Sequence, residues 1–308
     1  MTEMTALRAH RRGGPEELVA ERAPVPIPGP GDVLVAVHAA AITFDELTWD
    51  ETWIRTPVIP SHEVSGVVCE VASGVTDYAI GDEVYGLIDF DRDGAAAEYV
   101  AVPAADLAAK PSAVSHVVAA AVPMPGLTAL QALVDQAAVQ AGEAVLVHGG
   151  AGGVGALTVQ LAAMLGARVT ATVRSDAAEL VQGWGAARVI DVRTEGFDEG
   201  GAGYDVVIDT VGGDTLNRSF GVLRRGGRLV TLSAPPPAGL ADEYGVSATF
   251  FIVSPNRDQL THLAGLVDGG RLQVGIAATY PLARGREAFE SGRQPGRRAG
   301  KTVIVVRD

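Results

Sequence analysis

The sequence of 308 residues has few cysteines and lysines and no excess of positive charge. Its single cysteine, Cys69, excludes an intramolecular disulfide and a structural zinc site built from several cysteines. Its formal charge of −13 argues against nucleic acid or an anionic membrane as a partner, because both require a basic surface. A lone cysteine fits a reducing compartment, so we expect a cytoplasmic protein.

The sequence also lacks an unbroken apolar run long enough to cross a membrane. Residues 144–167 carry no charged side chain, but five glycines within seven positions interrupt any spanning helix. The chain instead has 47% hydrophobic residues and enough length for about two domains. We therefore expect a soluble globular protein with no membrane partner.

The most informative stretch runs from Ala144 to Ser175, where an apolar strand, a glycine loop, an apolar helix and a second strand follow one another. Gly150, Gly152 and Gly155 form GxGxxG. The first permits a tight turn, the second lets backbone N–H groups approach a pyrophosphate, and the third lets helix and strand pack closely. The dipole of the helix N-terminus also favours a phosphate. This context predicts a dinucleotide site.

The end of the second strand indicates which dinucleotide binds. An NAD site normally has an acidic residue there to hold the ribose 2′-hydroxyl, but this strand ends in Arg174 and Ser175. The first carboxylate after the loop is that of Asp176. A guanidinium suits a 2′-phosphate, so the sequence favours NADPH over NADH. The alternative for Arg174 is an ordinary solvated side chain at a helix start.

The pattern of the chain changes near residue 120. Before it, short apolar runs alternate with glycine and proline, which is typical of β structure. After it, strand and helix patterns alternate, which predicts a parallel sheet with helices on both faces. A helix broken around Pro123 and Pro125 is expected at the junction. We expect the tail after Pro255 to return to the first domain.

Several motifs in this order resemble the medium-chain dehydrogenase/reductase superfamily, and within it the zinc-independent NADPH:quinone oxidoreductase branch. They are PGPGDVLVAVHAAAIT, IPSHEVSGVV, GDEVYG, EYVAVP, GLTALQAL, GGAGGVG, GARVTATVRS, VIDTVGGDTL, GGRLVTLS and GRQPGRRAGKTVIVV. The resemblance implies an α/β protein: a GroES-like β-barrel domain at 1–120 and 256–308, and a Rossmann domain with a doubly wound parallel sheet at 121–255.

The zinc-dependent branch of the superfamily is the alternative, because SHEVSG resembles its GHExxG signature. By resemblance, that branch's first ligand, a cysteine, aligns with Thr43, and its third falls at 124–126, where no cysteine or histidine stands. His62 and Glu63 alone do not complete a three-ligand site. We therefore expect no catalytic metal. The alternative role for His62 is a hydrogen-bonded structural histidine.

The resemblance also implies roles for individual side chains. Thr43 and Thr128 are expected to hydrogen-bond near the nicotinamide, although Thr43 could simply fit a strand end and Thr128 could cap a helix. Phe44, Trp49 and Trp53 are expected on the substrate side, with filling of the barrel core as the alternative. No side-chain proton donor is evident, so the proton is expected from water.

The remaining expected cofactor contacts are grouped by the part of NADPH that they would touch. They are Gly150, Gly152, Gly153, Val154 and Gly155 at the pyrophosphate, Arg174, Ser175 and Arg193 at the 2′-phosphate, Thr210, Val211 and Ser233 after two later strands, Phe250, Phe251 and Val253 by backbone near the nicotinamide amide, and Lys301 in AGKTV.

These expectations define an NADPH-dependent oxidoreductase that delivers hydride to a quinone or an α,β-unsaturated carbonyl compound. The nearest alternative is an enoyl reductase or tailoring reductase of a biosynthetic pathway. An alternative of another class is a non-catalytic NADPH-binding structural or sensor protein. The apolar strand ATFFIV, Ala248 to Val253, would lie at the edge of the second sheet, so we expect a homodimer.

Overall fold

The computed structural model describes residues 2–174, 176–199, 201, 203–294 and 298–307. The chain divides into two compact units. Unit 1 comprises Met1–Leu127 and Ser254–Asp308, and unit 2 comprises Thr128–Val253. The C-terminal segment that begins at Ser254 is therefore part of unit 1.

The described chain up to the start of unit 2 contains seven strands and a short helix, and a second short helix crosses the boundary between the units. They are β1 (Glu3–Ala9), β2 (Leu18–Pro24), β3 (Asp32–Ala41), β4 (Glu63–Val71), β5 (Glu83–Leu87), β6 (Tyr99–Pro103), β7 (Leu107–Ala109), α1 (His116–Ala120) and α2 (Pro123–Leu130). Short 3-10 turns occur here at Pro15–Glu17, Glu46–Thr48, Glu51–Trp53 and Ala104–Asp106.

The helical break lies where the prolines predict it. α1 ends at Ala120 and α2 begins at Pro123, because a proline disfavours a helical residue before it and needs no N–H bond in a first turn. A π-helical stretch, Gln131–Gln136, follows α2. Thr128 lies inside α2, so it does not cap a helix.

Unit 2 has alternating strands and helices. They are β8 (Ala144–Val147), α3 (Gly153–Met164), β9 (Arg168–Val173), α4 (Ala178–Gly183), β10 (Arg188–Asp191), β11 (Tyr204–Asp209), α5 (Gly213–Ser219), β12 (Leu223–Thr231), α6 (Leu240–Tyr244) and β13 (Ser247–Phe250), with a 3-10 turn at Phe220–Val222. Among the described residues the strands form one parallel sheet of order β10-β9-β8-β11-β12-β13. This is the doubly wound dinucleotide-binding order.

The tail adds α7 (Arg257–Asp268), β14 (Ile276–Pro281), α8 (Gly285–Glu290) and β15 (Lys301–Val305) to unit 1, with 3-10 turns at Leu282–Arg284 and Ser291–Arg293. β15 pairs antiparallel with β3, so the tail completes the sheet of the first unit. That sheet has the order β14-β15-β3-β4-β5-β7 among the described residues, and β6 also pairs with β3. β1 and β2 form a separate antiparallel hairpin.

Each unit has its own hydrophobic core. In unit 1, alternate residues of β3 point into one cluster, and Val33, Val35 and Val37 are fully buried. In unit 2, Leu146, Val207 and Leu229 from adjacent parallel strands pack with residues of α5, among others. In the part of the chain that the structure describes, no helix is long and apolar enough to cross a membrane.

Candidate functional site

The glycine loop of unit 2 has no room for side chains at two of its positions. A Cβ atom on Gly155 would lie 2.1 Å from the carbonyl oxygen of Gly149, and one on Gly150 would lie 2.8 Å from the Cβ of Ala171. α3 begins directly after the N-cap residue Gly152, which makes no side-chain capping bond. The N–H groups of the first turn of α3, including those of Gly153 and Val154, thus suit a phosphate group.

The predicted cofactor residues of unit 2 lie where its parallel strands end. Because the carboxyl ends of parallel strands share one side of a sheet, these residues are brought to a common side. They are Arg174 after β9, Arg193 after β10, Thr210 and Val211 after β11, Ser233 after β12, and Phe250, Phe251 and Val253 at and after the end of β13. The predicted strand ATFFIV ends at Phe250, so Phe251 and Val253 are outside it. Ser175 lies outside the described residues.

A cavity of about 530 Å³ opens at this end of the sheet. Its volume is within the range of small-molecule and cofactor sites. Arg174, Arg193 and Arg218 line it together with the loop residues His148 and Gly149. The cavity therefore places positive side chains next to the first residues of the glycine loop.

The three arginines of this cavity differ in their partners. Arg193 Nη2 lies 2.8 Å from Asp176 Oδ1 and 2.5 Å from Asp191 Oδ2, and these carboxylates raise its pKa. Arg218 Nη2 lies 2.6 Å from Asp198 Oδ1.

Arg174 is exposed and has no carboxylate within ion-pair distance among the described residues. The prediction grouped Arg174 with Arg193, but Arg193 is already paired with Asp176 and Asp191. Of the three arginines, Arg174 is the one without a carboxylate partner in the described part of the chain.

The sequence analysis missed His148, which follows β8 and is fully buried. Ser219 Oγ donates to a backbone carbonyl, so it accepts from His148 Nε2 at 3.0 Å, and His148 Nδ1 accepts from Thr172 Oγ1 at 3.2 Å. Burial lowers the pKa of His148 to about 4, which keeps the ring neutral. Thr172 Oγ1 also accepts from Gly149 N, and Thr210 Oγ1 donates to the His148 carbonyl. This network holds the start of the phosphate loop.

In unit 1, the predicted SHEVSG signature holds a buried histidine beside a buried carboxylate. His62 Nε2 lies 3.2 Å from the carbonyl oxygen of Arg92, which only accepts, so this nitrogen carries a proton. His62 Nδ1 lies 3.3 Å from Glu46 Oε2. Glu46 Oε1 also accepts from Ser61 N at 2.7 Å. Both ring nitrogens of His62 are therefore engaged within the protein.

The next residue of the signature, Glu63, forms a second buried cluster. Lys301 Nζ donates to Glu63 Oε2 and, at 3.3 Å, to Thr43 Oγ1. Glu63 Oε1 accepts from Met124 N at 3.3 Å, and Thr43 Oγ1 donates to Met124 Sδ at 3.2 Å. Burial raises the pKa of the Glu63 carboxyl, and the positive charge of Lys301 opposes that shift.

These residues do not fit a catalytic zinc ion. Thr43 offers a neutral hydroxyl and Met124 a thioether, while His62 has no free ring nitrogen. The ammonium of Lys301 contacts both Thr43 and Glu63, so a cation is already present where the ligands would have to converge. Among the described residues, no three or more His, Cys, Asp or Glu side chains form a group that could hold a metal.

The three predicted substrate-side aromatics are partly buried. Phe44 and Trp53 pack against the hydrophobic cluster that includes Leu7 and Phe289, and the indole N–H of Trp53 donates to the Leu47 carbonyl at 2.7 Å. The Trp49 ring packs edge-on against Phe90 at 5.4 Å, and Phe90 in turn packs against His62 at 5.2 Å. Phe44 and Trp53 thus help to fill the core of unit 1, which was the alternative role.

Ser61 has a strained backbone in this signature. Its φ is +70°, a left-handed conformation that favours glycine. Its buried Oγ has no hydrogen-bond partner among the described residues. The zinc-type signature that the stretch resembles has glycine at this position.

We expect Ser61→Gly to stabilise the protein by about 1 kcal/mol. The substitution removes the backbone strain and the buried unpaired hydroxyl, and this gain in free energy should exceed the loss caused by the greater entropy of the unfolded chain. Denaturant unfolding measures the change. Ser65→Gly is the control and should destabilise, since Ser65 Oγ on β4 donates a hydrogen bond to the carbonyl oxygen of Val84 on β5. A loss of stability in Ser61→Gly would contradict the expectation.

Comparison with known proteins assigns the class. The model of the alcohol dehydrogenase GroES-like domain matches residues 29–112, and that of the zinc-binding dehydrogenase domain matches 184–304. Together with the doubly wound sheet, these matches define a two-domain oxidoreductase with a GroES-like and a Rossmann-like domain, as predicted. The chain belongs to the medium-chain dehydrogenase/reductase superfamily. Oxidoreductases of this superfamily bind a nicotinamide cofactor.

Individual relatives are similar over most of the chain. The 2-haloacrylate reductase of Burkholderia sp is 31% identical, over 96% of this chain and 97% of that protein. The chloroplastic NADPH-dependent alkenal/one oxidoreductase of Arabidopsis thaliana is 34% identical, over 80% of this chain and 64% of that protein. The structure of the quinone oxidoreductase from Coxiella burnetii has a TM-score of 0.92 at 30% identity, covering 99% of this chain and 100% of that one.

Proposed function

We propose that this enzyme transfers hydride from NADPH to a quinone or an α,β-unsaturated carbonyl compound without a catalytic zinc ion. The observation that carries the proposal is the ammonium of Lys301 on Glu63 and Thr43, where zinc-type relatives would need metal ligands. Without a metal to polarise a simple carbonyl or alcohol, the substrate must be activated by its own conjugation. Three relatives support this substrate class: a 2-haloacrylate reductase, an NADPH-dependent alkenal/one oxidoreductase and a quinone oxidoreductase.

We propose that unit 2 holds the cofactor at the carboxyl end of its sheet. The N–H groups of Gly152, Gly153 and Val154 would bind the pyrophosphate, and Arg174 would bind the 2′-phosphate. The other proposed contacts, in chain order, are Thr210, Val211, Ser233, Phe250, Phe251 and Val253. Arg193 would contribute less than its sequence position suggests, because Asp176 and Asp191 already pair with it.

When bound, the reduced nicotinamide supplies the hydride, and the protein supplies orientation and hydrogen bonds. Hydride addition to a conjugated carbon moves an electron pair onto an oxygen atom. A donor aimed at that oxygen lowers the barrier, because it stabilises charge that develops only in the transition state. Thr43 and Thr128 are the proposed donors. Trp49, together with the exposed parts of Phe44 and Trp53 that do not pack into the core, is the proposed substrate-side surface.

A substrate panel tests the proposal. NADPH oxidation is followed with an enone, a 1,4-quinone, an enoyl thioester and a plain ketone, and NADP⁺ reduction with a secondary alcohol. The enone and quinone should react, and the ketone and alcohol should not. Activity should survive exhaustive chelation. Faster turnover of the enoyl thioester would favour the biosynthetic enoyl reductase, whereas activity confined to the ketone and alcohol would overturn the mechanism.

We also propose a homodimer that pairs through β13. This strand is at one end of the sheet of unit 2, and Ile252, just beyond it, is 52% exposed. An exposed apolar edge strand favours pairing with a second copy. Light scattering at micromolar concentration should give the mass of a dimer, and a monomer there would contradict the proposal.

The free thiol of Cys69 supports a cytoplasmic location.

A further inference from the structure

Lys301 is a lysine in an unusual position, because only 9% of its surface is exposed. Its ammonium donates to the fully buried Glu63 and to the Thr43 hydroxyl. Buried ammonium groups are costly unless they are paired, so Glu63 explains how the charge is tolerated. Glu63 does not explain the second contact, to Thr43.

The contact with Lys301 decides how the Thr43 hydroxyl points. An ammonium only donates, so Thr43 Oγ1 must accept from Lys301, and its own hydrogen must point elsewhere. That hydrogen is directed to Met124 Sδ at 3.2 Å. A thioether is a weak acceptor, so a substrate oxygen placed near Thr43 would readily take its place. The ammonium of Lys301 thus polarises the Thr43 hydroxyl, whose own hydrogen is bound to a weak acceptor.

We propose that Lys301, supported by Glu63, supplies the proton for the reduction through the hydroxyl of Thr43. The inference rests on the proposed function and names the proton donor that the sequence did not reveal. Thr43 touches the substrate in this scheme and is the catalytic residue, while Lys301 and Glu63 act through it. Lys301 therefore has a role in proton supply in place of the predicted cofactor contact.

The proton transfer balances with an enone as substrate. When bound, the reduced nicotinamide would supply the hydride that forms a C–H bond at the β-carbon of the enone. The C=C π bond would then break, and its electron pair would move to the carbonyl oxygen. That oxygen takes the Thr43 hydroxyl proton, and Thr43 takes a proton from Lys301 Nζ. Lys301 is left as a neutral amine beside the Glu63 carboxylate, and a solvent proton restores the ammonium. Tautomerisation of the enol then gives the saturated ketone.

The test compares turnover of an enone with NADPH binding in matched variants. Lys301→Met and Thr43→Val should each lower kcat about a hundredfold, as loss of general acid catalysis does, with the NADPH dissociation constant within about twofold of the native value. The double variant should be no slower than either single one, because one relay has been interrupted twice. Lys301→Arg keeps the charge but does not release a proton, so its kcat should stay low.

Two controls separate this role from a structural one. Lys110→Met removes the other lysine, whose ammonium is bonded to Val114 O and paired with Glu83, and it should leave kcat unchanged. If Lys301→Met misfolds because Glu63 is left unpaired, Lys301→Met combined with Glu63→Gln removes both charges and should fold with a low kcat.

Several outcomes would overturn the proposal. Full activity of Lys301→Arg would mean that charge alone is needed, and weaker NADPH binding at unchanged kcat would mean a cofactor contact. Multiplying losses in the double variant would exclude a shared relay. If native protein fails to reduce any enone or quinone, the proposed function itself fails. A native enzyme that is active while Lys301→Met keeps its full kcat refutes only the relay.

Discussion

Arg174→Ala is expected to weaken NADPH binding about tenfold to a hundredfold and to leave NADH binding nearly unchanged. A charge-assisted hydrogen bond to a phosphate contributes roughly 1.5–3 kcal/mol, which corresponds to this range. Only NADPH carries the 2′-phosphate, so the loss should be confined to it. Arg174 lines the cavity of unit 2 and is not neutralised by a carboxylate in the described chain. Fluorescence titration or calorimetry with both cofactors measures the effect.

Two further arginines provide controls for this prediction. Arg168 lies at the opposite end of β9, so Arg168→Ala removes the same charge from the same strand and should change neither dissociation constant. Arg193→Ala should have a smaller effect than Arg174→Ala, because Asp176 and Asp191 already pair with Arg193. Equal dissociation constants of NADPH and NADH in the native protein would refute the assignment of Arg174.

Gly155→Ala is expected to reduce the affinity for both cofactors by about a hundredfold or more. The new Cβ would lie 2.1 Å from the carbonyl oxygen of Gly149 and 2.7 Å from its carbonyl carbon, so the backbone of the loop has to move. A misplacement of about 1 Å can cost about a hundredfold in catalytic rate, and we expect a comparable loss in affinity from a displaced binding loop. Because the loop is proposed to bind the pyrophosphate, which both cofactors share, NADPH and NADH should lose affinity to the same extent. This pattern differs from that of Arg174→Ala.

Gly183→Ala is the matched control for the loop variant. Gly183 ends α4, and a Cβ there would meet nothing within 4 Å. The substitution should leave cofactor affinity unchanged and, because alanine favours helix, should not destabilise the protein. Circular dichroism of both variants should be native-like, which would show that Gly155→Ala acts on the loop. Native cofactor affinity in Gly155→Ala would contradict the proposed role of the loop.

The sequence by itself determined the backbone of the glycine loop that we propose as the nucleotide site. Gly150 and Gly155 follow a short apolar strand, and their role depends on steric contacts within a few residues of the loop. The parallel direction of the strands in the second sheet was also predictable, because strands that alternate with helices are joined by crossover connections and run parallel. The position of Arg174, directly after β9, was predicted from the pattern of strands and helices. Prolines likewise predicted the break before α2.

Only the tertiary structure decided which polar side chains pair. Arg193 was expected to serve the phosphate, but it is neutralised in part by Asp176, 17 residues away in the chain. His148 is held by Thr172 and Ser219, which are 24 and 71 residues distant. No local pattern specifies such partners.

Lys301 and Glu63 show most clearly that the tertiary structure decides which polar side chains pair, since 238 residues separate them in the chain. AGKTV suggested a cofactor contact for Lys301 and SHEVSG resembled a zinc-type signature, but neither motif indicates that this lysine meets this carboxylate. Steric contacts within a loop involve only a few neighbouring residues, so they can be predicted from the sequence. The neutralisation of a buried charge depends instead on which distant strands the sheet brings together. β15 joins β3, and β3 joins β4, and that pairing places the ammonium of Lys301 on Glu63 and Thr43.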